Sequence, residues 1–60
     1  MFADLFLVRA LYNYVGQEED ELTIQAGDVI GLVNGDNPDW WEGELNGKIG
    51  VFPANYVERI

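Results

Sequence analysis

Asp39-Trp40-Trp41-Glu42-Gly43-Glu44-Leu45 sets two tryptophans side by side, and Glu18-Glu19-Asp20-Glu21 sets four carboxylates in a row. Neighbours on a strand point to opposite faces, so at most one of the tryptophans can enter a core. The other must have a reason to be outside. Catalysis has little to work with, because the chain contains no His, Cys or Ser and Thr23 is its only aliphatic hydroxyl. Carboxylates abound, yet general acid-base work needs a cleft that moves one pKa away from another. A crowded surface loop on a small domain is a poor place for one. The acidic run lacks the spacing of an EF-hand loop, and its oxygens could not easily converge on calcium. The expectation is a chain that is not an enzyme and uses no metal and no cofactor.

At 60 residues the chain has room for one domain, which hides only about 60% of the surface its unfolded form would expose. Its whole stability is roughly 3 to 9 kcal/mol on typical per-residue values, so a large ring left in water calls for an explanation. The composition, 48% hydrophobic and 23% charged, is that of a globular chain without low-complexity tracts. Eleven acids against three bases give a net charge of -8. Such a surface repels nucleic acid phosphates and anionic membranes and favours cationic partners, so neither nucleic acid nor direct membrane binding is expected. The absence of cysteine excludes disulfides and thiolate metal sites. The opening Met1-Phe2-Ala3-Asp4-Leu5-Phe6-Leu7-Val8 is apolar but reads neither as a signal peptide nor as a membrane span. It carries Asp4, lacks a basic leader and is too short. A soluble chain is expected.

Apolar residues alternate or cluster in short runs broken by Gly, Asn, Asp and Pro, which predicts strands and no helix of useful length. Leu7 to Tyr12 reads as a first strand with Val8 and Ala10 inward, followed by a polar loop from Asn13 to Asp20. Glu21 to Ile24 alternates as a short strand, and Asp28 to Val33 reads as another after a turn at residues 25–28. After the loop of residues 34–39, Trp41, Gly43 and Leu45 share one face of a strand while Trp40, Glu42 and Glu44 share the other. Asn46-Gly47 predicts a type I′ hairpin turn joining 40–45 to 48–52, since both central positions of that turn need positive φ. Pro53 to Tyr56 suits one helical turn, after which Val57 to Ile60 can close the sheet. Gly31, Gly43 and Gly50 fall within strands, where glycine marks bends or close approach. Strands this short can curl into a small barrel that hides most of its edges.

Three stretches together carry a family resemblance: Ala10-Leu11-Tyr12-Asn13-Tyr14, then Trp40-Trp41, then Gly50-Val51-Phe52-Pro53-Ala54-Asn55-Tyr56-Val57. In this order and spacing the chain resembles a Src-homology-3 domain over residues 6–60, with 1–5 left as an N-terminal flank. The resemblance implies an all-β fold, a small five-stranded barrel of two orthogonally packed antiparallel sheets with a short helical turn before the last strand. It also implies a core of Val8, Ala10, Leu22, Ile24, Ile30, Leu32, Phe52 and Val57, in agreement with the alternation.

The function it implies is binding of proline-rich segments in the polyproline II conformation, with PxxP spacing and a flanking Arg or Lys. A polyproline helix has three residues per turn and no internal hydrogen bonds. Parallel aromatic ridges can grip its rings while polar tips bond its carbonyls. Tyr12, Tyr14, Trp40 and Tyr56 offer such ridges, and Pro53 and Asn55, at matching family positions, add an apolar wall and an amide donor. Glu18, Glu19, Asp20 and Glu21 lie where the family keeps its specificity acids, and Asp39, with Asp36, could enclose the same basic residue from the other side. Two departures from the commonest family pattern are Asn13 in place of Asp and Val51 where a larger residue is frequent. A monomer, cytoplasmic and part of a larger adaptor, signalling, cytoskeletal or endocytic scaffold, is what the family implies.

Blander readings exist for each feature. Four acids in a row are ordinarily a solvated loop, and Tyr12 and Tyr14 could be ordinary sheet residues. Trp41 reads as structural, packed over the barrel's flank. An aromatic cage that holds a methylated lysine by cation-π attraction is a rival binding mode, and a structural or dimerisation role is a third. Geometry separates the first two, because a cage needs three rings converging on a point whereas a polyproline groove needs them spread along a line.

Overall fold

Five strands and one short 3-10 turn follow one another along the chain: β1 (Phe6–Ala10), β2 (Val29–Asn34), β3 (Trp40–Leu45), β4 (Lys48–Pro53), the turn (Ala54–Tyr56) and β5 (Val57–Arg59). The computed structural model describes residues 6–60, and the expected flank of residues 1–5 lies outside the described residues. All pairings between strands are antiparallel, in the spatial order β4-β3-β2-β1-β5. The two sheets of the expected barrel are thus halves of one continuous sheet. β2 pairs with β1 along one edge and with β3 along the other, and a register shift between Leu32 and Asn34 interrupts the second ladder. A bulge of that kind bends a strand and increases its twist, which lets one sheet wrap a core.

The tightest local signal in the sequence forms as expected. Asn46 has φ 54° and Gly47 φ 87°, and Leu45 faces Lys48 across the two-residue turn. Glu44 Oε2 accepts the Gly47 N–H at 2.7 Å and closes the turn from the side. This hairpin fixes the register of all six residue pairs between β3 and β4, from Trp40 opposite Pro53 to Leu45 opposite Lys48.

The core is the expected one: Val8, Ala10, Leu22, Ile24, Ile30, Leu32, Phe52 and Val57, flanked by Tyr14, Trp41, Leu45 and Tyr56. Ala54, in the 3-10 turn, is also buried. Gly43 lies where the sheet closes most tightly on this core. A Cβ there would stand 2.6 Å from Ile30 Cγ2 and 2.9 Å from the Gly31 carbonyl oxygen. No side chain fits.

Two expectations about strands change. β1 ends at Ala10 rather than Tyr12: the Leu11 N–H still bonds on the β5 side, but its acceptor at 2.7 Å is the Tyr56 carbonyl, in the 3-10 turn rather than in a strand. Glu21 to Ile24 is not a strand; it makes isolated bridges, Ile24 with Tyr14 and Glu21 with Val51. Alternation correctly sends Leu22 and Ile24 inward. It cannot say whether the backbone finds a continuous ladder, and here two different neighbours share the segment.

Candidate functional site

Trp40 stands 41% exposed on the outer face of β3, while Trp41 is half-buried against the core. Around Trp40 the fold assembles three tyrosines from two distant segments. Tyr12 and Tyr14 follow β1, and Tyr56 ends the 3-10 turn. The turn reaches them because the Leu11 N–H donates to the Tyr56 carbonyl. Tyr12 packs edge-on against Tyr56 at 5.6 Å between ring centroids, Tyr56 against Tyr14 at 5.6 Å, and Tyr14 against Trp40 at 6.1 Å. The interplanar angles of 69° to 82° are the edge-to-face arrangement that aromatic quadrupoles prefer. The rings make an open row, Tyr12-Tyr56-Tyr14-Trp40, with no contact between its two ends among these ring pairs. Pro53 lies opposite Trp40 in the β3-β4 ladder, and Asn55 is exposed on the 3-10 turn between Ala54 and Tyr56.

The acidic loop does not present four equivalent carboxylates. Glu18, Glu19 and Asp20 are exposed. Glu21 is half-buried, and its Oε1 accepts the Tyr14 hydroxyl at 2.5 Å and the Gln17 N–H at 2.8 Å. The Tyr14 bond is the main reason the Glu21 carboxyl titrates below its ordinary value, with the Gln17 N–H adding to it. The same bond, followed by desolvation, pushes the Tyr14 phenol up to about 12. Glu21 therefore holds a ring of the row. Thr23 Oγ1 accepts the Gly16 N–H at 3.0 Å, and Lys48 Nζ donates to the Glu21 carbonyl at 3.2 Å. The loop's far end docks on β4, with the Val51 N–H donating to Asp20 at 2.9 Å and the Leu22 N–H to Val51 at 2.8 Å. Gly50 permits that approach, since a Cβ there would stand 2.8 Å from the Asp20 carbonyl oxygen.

Asp36 and Asp39 are both exposed on the loop before β3. Asp39 leads directly into Trp40, and its carbonyl accepts the Ala54 N–H at 2.9 Å, tying the loop to the 3-10 turn. Because Tyr14 touches Trp40 and bonds Glu21, both acidic loops meet the row at its tryptophan end. Tyr12, at the other end, has no carboxylate bonded to it among the described residues. A concavity of about 330 Å³ lies elsewhere, lined by Phe6, Asn34, Asp36 and Arg59 among others, and it shares no residue with the row. There the Arg59 guanidinium lies 5.2 Å from the Phe6 ring centroid and 5.4 Å from that of Trp41, covering the inner tryptophan's flank.

Two residues of the site escaped the sequence reading. Asn13 figured only as a departure from a pattern; its Oδ1 accepts the Ala26 N–H at 2.8 Å and clamps the base of the acidic loop to the turn before β2. Asn37 was read only as part of a loop. Its Oδ1 accepts the N–H groups of Asp39 at 2.8 Å and Trp40 at 2.9 Å, and its carbonyl takes the Trp41 indole N–H at 2.8 Å. Asn-Pro-Asp was the available signal, because an asparagine before a turn commonly bonds backbone two residues on.

Fold and surface together define a small all-β module with an open aromatic row flanked by acids at one end. A family model described as variant SH3 domain matches residues 10–58. The chain belongs to the SH3 (Src-homology-3) domain family. It is 60% identical to the myosin IC heavy chain of Acanthamoeba castellanii over 52 residues, 87% of this chain and 4% of that protein. It is 51% identical to intersectin-1 of Xenopus laevis over 51 residues, 85% of this chain and 3% of that one. The chain thus spans only a small part of these relatives. Among solved structures, the C-terminal SH3 domain of myosin IB from Entamoeba histolytica, bound to the EhFP10(GEF) peptide, superimposes with a TM-score of 0.89 at 43% identity, covering 97% of both chains.

Proposed function

We propose that this module binds proline-rich peptides of PxxP spacing in the polyproline II conformation, selecting those with a flanking Arg or Lys, and performs no catalysis of its own. The observation that carries the reading is the open row of rings from Tyr12 to Trp40. Ridges spaced about 6 Å apart suit a helix that advances roughly 3.1 Å per residue, so that successive proline pairs fall between them. Tyr12, Tyr14, Trp40, Pro53 and Tyr56 form the walls, and Asn55 donates from the turn. Glu18, Glu19, Asp20 and Asp39 attract the basic residue at the Trp40 end. Glu21 contributes chiefly by holding Tyr14. A ligand already extended before it docks loses little conformational entropy, which suits a small, transient interface.

The methyl-lysine cage is the less favoured mode, since it needs three rings around one point and Tyr12 and Trp40 stand at opposite ends of the row. The module acts as a monomer within a larger adaptor, cytoskeletal or endocytic scaffold, in a cytoplasmic setting inferred from the family, without direct contact to membrane or nucleic acid. The direct test is a titration with a short peptide carrying PxxP and a flanking arginine, followed by tryptophan fluorescence and repeated with Trp40→Ala. A saturable change, weakened by salt and lost in the folded variant, is expected. No response at millimolar peptide, against binding of a trimethyl-lysine peptide, would overturn the reading in favour of the cage. Size exclusion over a concentration series tests the monomer.

A further inference from the structure

We propose that Asn37 is the positioning residue of the groove: without touching the peptide, it sets the approach to Trp40 so that the binding geometry exists before the ligand arrives. The inference rests on the groove reading above. Asn37 is exposed and three residues before β3, so it has no place in the core. Its side-chain oxygen is nevertheless committed, accepting the backbone N–H groups of both Asp39 and Trp40. Pro38, between Asn37 and Asp39, has a fixed φ and no N–H of its own. The three residues before Trp40 are thereby held in one tight turn whose donors point back at a single atom.

That turn meets two of the segments that build the groove. On one side it delivers Trp40, the last ring of the row. On the other, the Asp39 carbonyl accepts the Ala54 N–H and so anchors the 3-10 turn that carries Asn55 and Tyr56. Two segments of the groove, far apart in sequence, are thus referenced to one asparagine. The Trp41 indole N–H bonds the Asn37 backbone carbonyl, which a side-chain substitution leaves in place. Removing the side chain therefore loosens the turn that leads into the outer tryptophan, which β4 still pairs, while leaving the inner one attached. A freed loop would have to be ordered at each binding event, and that cost appears as lost affinity.

The test is a double-mutant cycle on the intact chain, with affinity for one PxxP-arginine peptide followed by NMR shift changes up to several millimolar. Asn37→Ala is expected to weaken binding about tenfold, the effect of losing two modest hydrogen bonds that preorganise the loop. Asn37→Ser, whose hydroxyl can accept in a similar turn, should recover most of that loss. In a Trp40→Ala background the same Asn37→Ala change should cost less than about twofold, because the residue acts through the ring that is gone. The Trp41 indole N–H resonance should stay in place throughout. Asn37→Gln, which displaces the acceptor by one methylene, is a second disabling variant should the alanine form not fold. Equal affinity of wild type and the disabling variants overturns the proposal, as does an equal loss in both backgrounds, which would mean a general loosening. A wild-type chain that fails to bind the peptide overturns the groove reading itself, and this inference with it.

Discussion

Trp40 and Trp41 differ in which way one strand points them, and that difference divides the molecule. The inner face of β3 carries Trp41, Gly43 and Leu45 against the core, and the outer face carries Trp40, Glu42 and Glu44. On the inner face space decides everything, to the point that Gly43 admits no Cβ. On the outer face exposure is tolerated and partners are few. A marginally stable domain can keep a large exposed ring only if stability comes from the other face of the same strand. The lesson is a division of labour at a spacing of one residue, and it can be broken from either side.

The largest effect is expected from Gly43→Ala. Its new methyl group would meet Ile30 and the backbone of Gly31 inside contact distance, an overpacking that costs about 3 kcal/mol or more. That approaches the whole stability of a chain this size, so loss of the cooperative melting transition is the expected outcome in calorimetry or circular dichroism. A normally folded alanine variant would mean the inner face is looser than the geometry implies. Next comes the exchange between the tryptophans. Trp41→Ala should destabilise by about 2 kcal/mol, lowering the melting temperature by roughly 10 °C, yet leave peptide affinity within about threefold at temperatures where it is folded. Trp40→Ala should do the reverse, with stability within about 1 kcal/mol and affinity down about thirtyfold or more. Measuring both quantities on both variants tests the division directly. If each variant lost both in proportion, the two faces would not be separable.

This division is legible in the sequence alone, and the reason is physical. Side-chain alternation is a property of one strand alone, so it separated Trp40 from Trp41 and turned Val8 and Ala10 inward, while the full set of eight core residues is what the family resemblance implies. The Asn46-Gly47 turn is equally local, since its φ values follow from which residues tolerate them. What alternation could not supply was partnership. It made Glu21 to Ile24 a strand, where the backbone instead divides its bonds between Tyr14 and Val51. It treated Glu21 as one of four surface acids, because nothing local reveals that a tyrosine hydroxyl seven residues earlier will meet it. Asn37 was hidden for a related reason: a turn that bonds its own backbone looks, in sequence, like any polar loop.

Glu21 sharpens the comparison, because its carboxylate lies on the surface but acts structurally. The bond to Tyr14 needs an ionised acceptor and a protonated donor. The carboxyl is held below its ordinary value of 4.5, so its contribution to stability is present above that pH and is lost as pH falls through the lowered folded value. The phenol is pushed up from 10.0 to about 12, so its contribution is present below pH 10 and is lost as pH rises toward 12. Tyr14→Phe should therefore be less stable than wild type between about pH 5 and pH 10, with the gap closing at both limits. Denaturant midpoints across that range give the answer, and parallel curves at all pH values would remove the bond from the account.

The smallest effect belongs to the three acids that remain free, and its sign is the informative part. Neutralising Glu18, Glu19 and Asp20 together as Gln, Gln and Asn removes an exposed ion pair with the one basic ligand residue, worth about 0.2 to 1 kcal/mol, so affinity should fall only about fivefold or less. The salt dependence of binding should flatten with it. Stability should move the other way. A chain of net charge -8 repels itself, and removing three exposed like charges relieves that repulsion, raising the melting temperature slightly at low ionic strength. A variant that binds more weakly and melts higher would identify the acidic run as surface kept for recognition at some expense of the fold. A variant that melted lower would instead show the carboxylates supporting the loop as Glu21 does, and would move them across the division that the two tryptophans define.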